Sequence, residues 1–420
     1  MNIALVTAEF EIHNGAHSSL SVYMYRLAKS LLELGHRPVV FVGAKADEKL
    51  TYNGIEIYRV RIKKRDEKWY SNKFLHKPYS LARKNFYANT GWHKLNDHLE
   101  RKLFADTLST QLNAAVEKIH SEIKFDLIQY TQENATGYRR LKSIPAVVRA
   151  SVPHKIAMKY DGFIADKYIR SRTNFELKSL AKADAVYTSA QEVAKIFEEK
   201  SGKKISLINP VYTNNTEQND YTVFKNRLEG KKYLLFFGTL NLANGTDTVG
   251  DMLPDFFRQH PDYYFVFAGN VSVSPYPKLN MLEYVRKKAM EHIDKVIYFE
   301  PLSQAQLFPI LENCEIAILP SRCDNFSNSK TEALAHGCIC IGTEGTGYPG
   351  LIENGKNGFL IAKEAHKELF RKVSQVISLS AFEKQKMKEA SLLLAQKLAP
   401  QAAGKQLVDF YLQTIQSFKG

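Results

Sequence analysis

Long hydrophobic runs are absent from this 420-residue sequence, and cysteine is scarce. No stretch approaches the ~20 apolar residues that a transmembrane helix requires. The chain also enters a strand-like apolar run at Asn2, without the charged and hydrophobic regions of a signal peptide. There are four cysteines, and their positions offer no paired metal-ligand spacing. These absences predict a cytoplasmic protein whose cysteines stay reduced and whose site holds no metal.

The composition that is present is ordinary for a globular protein. Hydrophobic residues make up 44% of the chain, and its length exceeds what one typical core holds, so we expect two domains. The net charge of +14 favours an anionic partner: a nucleotide, a phospholipid surface or nucleic acid. Because the sequence contains no nucleic-acid-binding motif, we expect no nucleic acid partner.

Each half of the chain begins with an apolar strand that leads into a glycine-containing loop. In the first half, residues 3–7 predict a strand and Gly15 lies in the loop. Ser18 or Ser19 can cap a helix whose apolar residues repeat at helical spacing. A hairpin is expected around Asn53-Gly54, and a helix at 106–123. In the second half, residues 233–238 predict a strand that ends in glycine. The dinucleotide fingerprint G-x-G-x-x-G is absent from the first loop. The pattern predicts an α/β fold with two Rossmann-like halves.

Residues 61–104 form the most unusual segment by composition. They hold twelve Lys or Arg residues against four acidic ones, together with both tryptophans. Basic residues interleaved with aromatic ones suit the headgroup level of an anionic membrane surface, or an anionic acceptor. A solvated surface insertion whose aromatics pack back on the domain explains the composition equally well.

Two acidic residues mark the most informative stretch. An apolar run at 316–320 predicts a buried strand, and a short helix is expected to follow it, beginning at Ser327 or Asn328. Asp324 therefore follows the carboxyl end of a strand, where open α/β sheets bind ligands, and Glu332 lies in the helix. A carboxylate can accept hydrogen bonds from two neighbouring hydroxyl groups. The alternative is an exposed acidic loop and a helix that only packs on the sheet.

This spacing resembles the donor-site signature of the retaining glycosyltransferases of the GT-B fold, glycosyltransferase family 4. There, an acid, seven residues and a Glu are followed by Ala, a small apolar pair and Gly. Here the acid is Asp324, and the rest reads Glu332-Ala333-Leu334-Ala335-His336-Gly337. The family usually has Glu at the first position, so the charge is kept on a shorter side chain. A glycine-rich return at 342–348 and a closing hairpin at 351–360 continue the resemblance.

The resemblance implies a GT-B fold of two Rossmann-like domains that face a cleft, with a C-terminal helix that returns to the first domain. The implied division is an acceptor domain at 1–210 with an insertion at 61–104, a linker at 211–231, a nucleotide-sugar domain at 232–398 and the returning helix at 399–420.

The resemblance also implies roles for individual residues, with no metal and no cofactor. Glu332 is expected to bind the ribose hydroxyls of the donor, and Asp324 the hydroxyls of the transferred sugar. His154 lies near the position where family members often carry a His beside the acceptor and donor sugar. Further donor contacts are expected from Gly15, Gly238, Asn325, Phe326, Ser327, Asn328 and Ser329.

The cationic clamp that usually holds the donor diphosphate is missing. The family places an Arg and a Lys where this chain has Thr239 and Asn244. Three alternatives follow: Arg322 or Lys330 supplies the charge, backbone N–H groups of residues 238–245 hold the phosphates, or the donor site has been lost.

The sequence thus predicts a glycosyltransferase that moves a hexose from a UDP- or GDP-sugar to a hydroxyl of a glycan, a lipid-linked acceptor or a small molecule. Two alternatives are a non-catalytic partner subunit, motivated by Thr239 and Asn244, and a sugar-nucleotide epimerase that needs no acceptor. We expect a cytoplasmic location, with contact of residues 61–104 to the inner face of the membrane as a further hypothesis.

Overall fold

The structure of the chain is a computed structural model. It describes residues 1–10, 18–62, 92–162, 167–213, 218–272, 279–324, 328–347 and 350–419, without the side chains of 92–104 and 167–168. The predictions for Gly15, for Asn325, Phe326 and Ser327, and for most of the segment 61–104 lie outside the described residues.

The first domain is built on an eight-stranded sheet. Its strands are β1 (Asn2–Thr7), β2 (Arg37–Ala44), β3 (Glu48–Tyr52), β4 (Ile55–Arg61), β5 (Leu127–Thr131), β6 (Ala146–Arg149), β7 (Ala185–Thr188) and β8 (Ser206–Leu207). The strand order is β3-β4-β2-β1-β5-β6-β7-β8. All neighbours are parallel except β3 and β4, which form the antiparallel hairpin predicted around Asn53-Gly54.

Helices cover both faces of this sheet, which is why most of its strands are apolar throughout. The helices of the first domain are α1 (Ser19–Glu33), α2 (Trp92–Ile123), α3 (His154–Tyr160), α4 (Lys167–Lys182) and α5 (Gln191–Ser201). The Ser18 hydroxyl caps α1 by accepting from the Ser21 N–H at 3.1 Å, as the sequence predicts. The helix α2 extends well before Asp106, where the sequence pattern placed its start.

The second domain has a six-stranded parallel sheet in the order β11-β10-β9-β12-β13-β14. Its strands are β9 (Lys232–Phe237), β10 (Tyr263–Ala268), β11 (Val296–Phe299), β12 (Ile316–Leu319), β13 (Cys340–Thr343) and β14 (Gly358–Ile361). Its helices are α6 (Thr222–Arg227), α7 (Thr246–Gln259), α8 (Met281–Ala289), α9 (Gln304–Asn313), α10 (Asn328–Ala335), α11 (His366–Ile377) and α12 (Ala381–Gln396). The strand order reverses between β9 and β12, and a crevice opens at such a switch point.

The last helix, α13 (Lys405–Lys419), returns to the first domain as expected. Its Leu407 and Tyr411 are buried in the same cluster as Ile3 and Leu5 of β1. The Tyr411 hydroxyl donates a hydrogen bond to the side-chain oxygen of Gln129 on β5. The region predicted as a linker contains α6, whose half-buried Val223 and Phe224 pack against the core of the second domain. Two Rossmann-like domains and a returning helix confirm the fold class.

Removing the hydroxyl of Tyr411 tests how firmly this helix is held. We expect Tyr411→Phe to lower the free energy of unfolding by about 1 kcal/mol, because the Gln129 oxygen loses a buried donor. The measurement is urea-induced unfolding. The matched control is Tyr221→Phe, whose hydroxyl meets Glu312 at an exposed site. Equal effects of the two substitutions would contradict this account of the helix.

Candidate active site

The candidate site is a pocket where β9 and β12 end at the switch point. The first domain contributes Ser19, the first residue of α1, so the pocket lies in the cleft between the domains. Six predicted donor-site positions meet there: Gly238, Thr239, Asn244, Asp324, Asn328 and Ser329. The other lining residues are Phe236, Phe237, Leu319 and Ser321.

The helix α10 brings two of these residues to the pocket. It begins at Asn328, as predicted, and Gly337 follows its end in the left-handed conformation (φ +70°). The Asn328 side chain donates to the backbone oxygen of Ser19 at 2.9 Å. The first turn of α10 is therefore tied directly to the first turn of α1 in the other domain.

Asp324 lines the pocket wall. Its carbonyl accepts from the Gly347 N–H at 3.1 Å. The Lys330 ammonium, fully buried, donates to the Thr346 hydroxyl at 2.9 Å, which in turn donates to the Thr343 carbonyl at 2.9 Å. Burial lowers the pKa of Lys330, and the nearby charge of Asp324 opposes that shift. Lys330 thus anchors the glycine-rich return behind the site and is absent from the pocket lining.

Glu332 lies one helical turn beyond Asn328 and meets the first domain. Its Oε1 accepts from Arg26 Nη2 at 2.6 Å and from Gln304 Nε2 at 3.2 Å. The side chains of Arg26 and Glu332 are 4% and 10% exposed, so this ion pair between domains is buried. The guanidinium of Arg26 also lies 4.7 Å from the ring centroid of Tyr212, which follows the last strand of the first domain.

The loop at 238–245 is held by its own hydrogen bonds. The Asn244 side chain donates to the Thr239 carbonyl at 2.7 Å, and the Asn244 N–H donates to the Asn241 side chain at 2.8 Å. Gly245 adopts φ +76°, and it lies so close to the Pro320 carbonyl that a side chain at this position would collide with it. Backbone N–H groups in this loop that already have protein acceptors belong to Gly238, Leu240, Ala243, Asn244 and Gly245. This leaves few of the loop's donors for a phosphate.

Arg322, the other cation considered at this site, is also engaged. Its Nη2 donates to Asp247 at 2.5 Å, and its Nε lies 3.0 Å from a Glu364 carboxylate oxygen. Arg322 is 8% exposed and does not line the pocket. Burial raises the pKa of Asp247, and the adjacent Arg322 opposes that rise. Among the described residues, the pocket lining therefore contains one Asp and no Lys or Arg.

A second set of contacts joins the domains near the C-terminal end of α3. Asp161 accepts from the Ala243 N–H at 3.1 Å, and Lys363 pairs with Glu192 at 3.2 Å. His154 begins α3, is half-buried and does not line the pocket. It therefore lies at the opposite end of a seven-residue helix from the Asp161 contact, roughly 10 Å away.

The comparisons with known proteins agree with this architecture. Residues 218–391 match the family model described as glycosyl transferases group 1. Sucrose-phosphate synthase from Thermosynechococcus elongatus superposes with a TM-score of 0.71 at 14% identity, covering 99% of each chain. Anabaena HepE, solved with UDP, gives a TM-score of 0.64 at 15% identity over 98% of this chain and 100% of that one. The chain thus has the fold of GT-B glycosyltransferases.

Among characterised sequences, the chain is similar to spore coat protein SA of Bacillus subtilis (strain 168), with 26% identity over 155 residues. That match spans 36% of this chain and 41% of the relative. Within the described residues, no helix has the length and apolarity to cross a membrane. Nor do those residues contain three or more His, Cys, Asp or Glu side chains grouped as metal ligands would be.

Three residues near the site were not identified from the sequence: Arg26, Tyr212 and Gln304. Arg26 follows Tyr23 by three positions and precedes Ser30 by four, so helical spacing alone places it on a buried face of α1. A buried arginine requires a partner. That spacing could have marked Arg26, although not its partner in the other domain.

Proposed function

We propose that this chain is a retaining glycosyltransferase that transfers a hexose from a nucleotide-diphosphate sugar, with UDP- and GDP-sugars as the expected donors. The acceptor is a hydroxyl group of a glycan, a lipid-linked glycan or a small molecule. The observation that carries the proposal is the pocket at the switch point, where Gly238, Asp324, Asn328 and Ser329 meet across from Ser19. Domain-interface clefts and switch points are where α/β proteins bind such ligands.

The two acidic residues bind different parts of the donor in this proposal. Asp324 lines the pocket and accepts hydrogen bonds from the transferred sugar, while Glu332, one helical turn further along α10, accepts from the ribose hydroxyls. The first turn of α10 presents its backbone donors towards the phosphates. Anabaena HepE has been solved with UDP and glucose, which supports a nucleotide and a sugar as ligands of this fold.

In the proposed reaction, the bond from the anomeric carbon to the diphosphate breaks and the acceptor oxygen bonds from the same face. The products are the glycoside, the nucleoside diphosphate and the proton of the acceptor hydroxyl. Positive charge develops on the sugar ring as the leaving group departs, and the carboxylate of Asp324 on the pocket wall stabilises it. We propose that this step needs no metal ion.

A thermal-shift screen with UDP, GDP, ADP, TDP and CDP, and with their sugars, tests the proposal. A ligand at about 100 times its dissociation constant stabilises the fold by about 2.7 kcal/mol, a shift that is easily measured. We expect one base to give a clear shift. Product analysis with the selected nucleotide sugar then separates transfer to an acceptor from epimerisation without one. No shift with any nucleotide would favour a non-catalytic partner subunit, which the missing cations at Thr239 and Asn244 would explain.

Glu332→Gln tests the ribose contact. A neutral amide accepts weaker hydrogen bonds than a carboxylate, so we expect kcat/KM for the nucleotide sugar to fall by about 10- to 50-fold. The matched control is Glu353→Gln, which removes an exposed carboxylate that pairs with Lys356. Transfer at the wild-type rate by a folded Glu332→Gln variant would make the assignment wrong.

A further inference from the structure

Among the residues that the structure describes, no Lys or Arg lines the pocket, and two nearby cations make internal contacts. Arg322 donates to Asp247 and its Nε lies 3.0 Å from a Glu364 oxygen, while Lys330 is buried against Thr346. A diphosphate bound between two domains requires positive charge or several hydrogen-bond donors. The first domain also brings a cation to this cleft.

That cation is Arg26, whose ion pair with Glu332 joins the two domains. It lies two helical turns after Ser19 on α1, and Ser19 lines the pocket. Its partner Glu332 lies one turn after Asn328, which also lines the pocket and bonds to Ser19. The two helices therefore lead from the pocket to the Arg26–Glu332 pair.

Arg26 also has a hydrogen-bond donor that no described residue uses. Its Nη1 is buried and has no hydrogen-bond partner among the described residues, although Arg26 as a whole is only 3% exposed. The Tyr212 hydroxyl beside it is likewise buried without a partner. Burial raises the pKa of Tyr212 to about 12, so its hydroxyl stays protonated and can donate. Two unpaired buried donors close together are costly unless a ligand accepts from them.

We propose that Arg26 is the cation that binds the donor diphosphate, with Tyr212 as a second donor. This inference rests on the proposed function. Without ligand, the Arg26 guanidinium donates to the Glu332 carboxylate. When the ribose hydroxyls bind to Glu332 instead, the guanidinium becomes available and binds the diphosphate. The charge that the second domain lacks at Thr239 and Asn244 is thus supplied by the first domain. Donor binding then requires both domains, because the ribose contact and the cation come from opposite sides of the cleft.

The test compares a nucleoside diphosphate with its nucleoside, using the base selected by the thermal-shift screen. Isothermal titration calorimetry on the full chain gives both affinities for wild type, Arg26→Gln and Tyr212→Phe. Loss of a charged hydrogen bond to phosphate should weaken diphosphate binding by about 10- to 100-fold in Arg26→Gln. Nucleoside binding should change by less than about threefold, since it has no phosphate to lose. For Tyr212→Phe the same selective loss should be smaller, about three- to tenfold.

Lys29→Gln is the matched control, because it removes the same charge from the same helix, while the ion pair with Glu332 belongs to Arg26. It should leave both affinities unchanged. Equal weakening of nucleoside and diphosphate by Arg26→Gln would show a structural role only and overturn the inference. If Arg26→Gln does not fold, Tyr212→Phe decides instead: an unchanged ratio of the two affinities there would also overturn the inference. A wild-type protein that binds no nucleoside diphosphate would instead refute the proposed function.

Discussion

Asp324→Asn is expected to lower kcat for sugar transfer by at least about 100-fold while leaving the nucleoside diphosphate affinity within a factor of about three. The carboxylate lines the pocket, where it faces the transferred sugar in our proposal. An amide keeps the shape but loses the negative charge that stabilises the developing positive charge of the ring. The nucleotide is held by other groups, so its affinity should be retained. Steady-state kinetics and calorimetry on the same preparation give both quantities.

Two features make this substitution a clean test. The backbone of Asp324 is fixed through its carbonyl and the Gly347 N–H, a bond that does not involve the side chain. Because the Asp324 charge also acts on the buried Lys330, thermal unfolding must first show that the variant folds. Asp324→Glu is the control, because it restores the residue that the resembled family usually has at this position. It should retain activity within about tenfold. Equal activity of the Asn and Glu variants would show that the charge of Asp324 has no part in transfer.

Gly245→Ala is expected to destabilise the second domain by about 3 kcal/mol or more and to abolish ligand binding in the pocket. Gly245 has φ +76°, and a Cβ there would lie 2.2 Å from the backbone oxygen of Pro320. The left-handed conformation costs a non-glycine residue about 1–2 kcal/mol. Relieving a collision between two backbone segments adds about 1–3 kcal/mol. Either segment that moves carries pocket residues, because Asn244 precedes Gly245 and Ser321 follows Pro320.

Gly230→Ala separates the two costs. Gly230 has the same φ of +76°, but a Cβ there meets nothing within 4 Å. Its substitution should therefore show only the conformational cost, about 1–2 kcal/mol. Thermal unfolding of both variants gives the difference, with each kcal/mol corresponding to about 2–4 °C for a domain of this size. Equal melting temperatures would mean that the contact between Gly245 and Pro320 relaxes freely.

The sequence predicted the fold well because local patterns determine its elements. Alternating strand and helix patterns produced the two parallel sheets, and Gly337 marked the end of α10. Boundaries were less accurate where local signals conflict with packing. The helix α2 extends beyond its predicted start, and α6 occupies a polar stretch that reads as a linker.

The site was predictable only where it depends on one domain. Gly238, Asn328 and Ser329 were expected from the family resemblance, and Asp324 also from its position after a strand. The structure brings all four to one pocket. Arg26 was missed because its partner lies 306 residues away and no local pattern reports a contact between domains. Arg322 and Lys330 were considered for their charge, and the structure places each in an internal contact that the sequence does not indicate.

The return of α13 to the first domain also has a consequence for synthesis on the ribosome. Tyr411, near the end of the chain, bonds to Gln129, and Gln129 accepts as well from Tyr187, which bonds to Tyr23. Domains generally fold as they emerge, amino-terminal first. Here the first domain to emerge lacks part of its core until residues 405–419 leave the exit tunnel. A truncated or stalled chain would therefore expose the apolar surface around Ile3 and Leu5, which makes incomplete chains targets for chaperones and proteases.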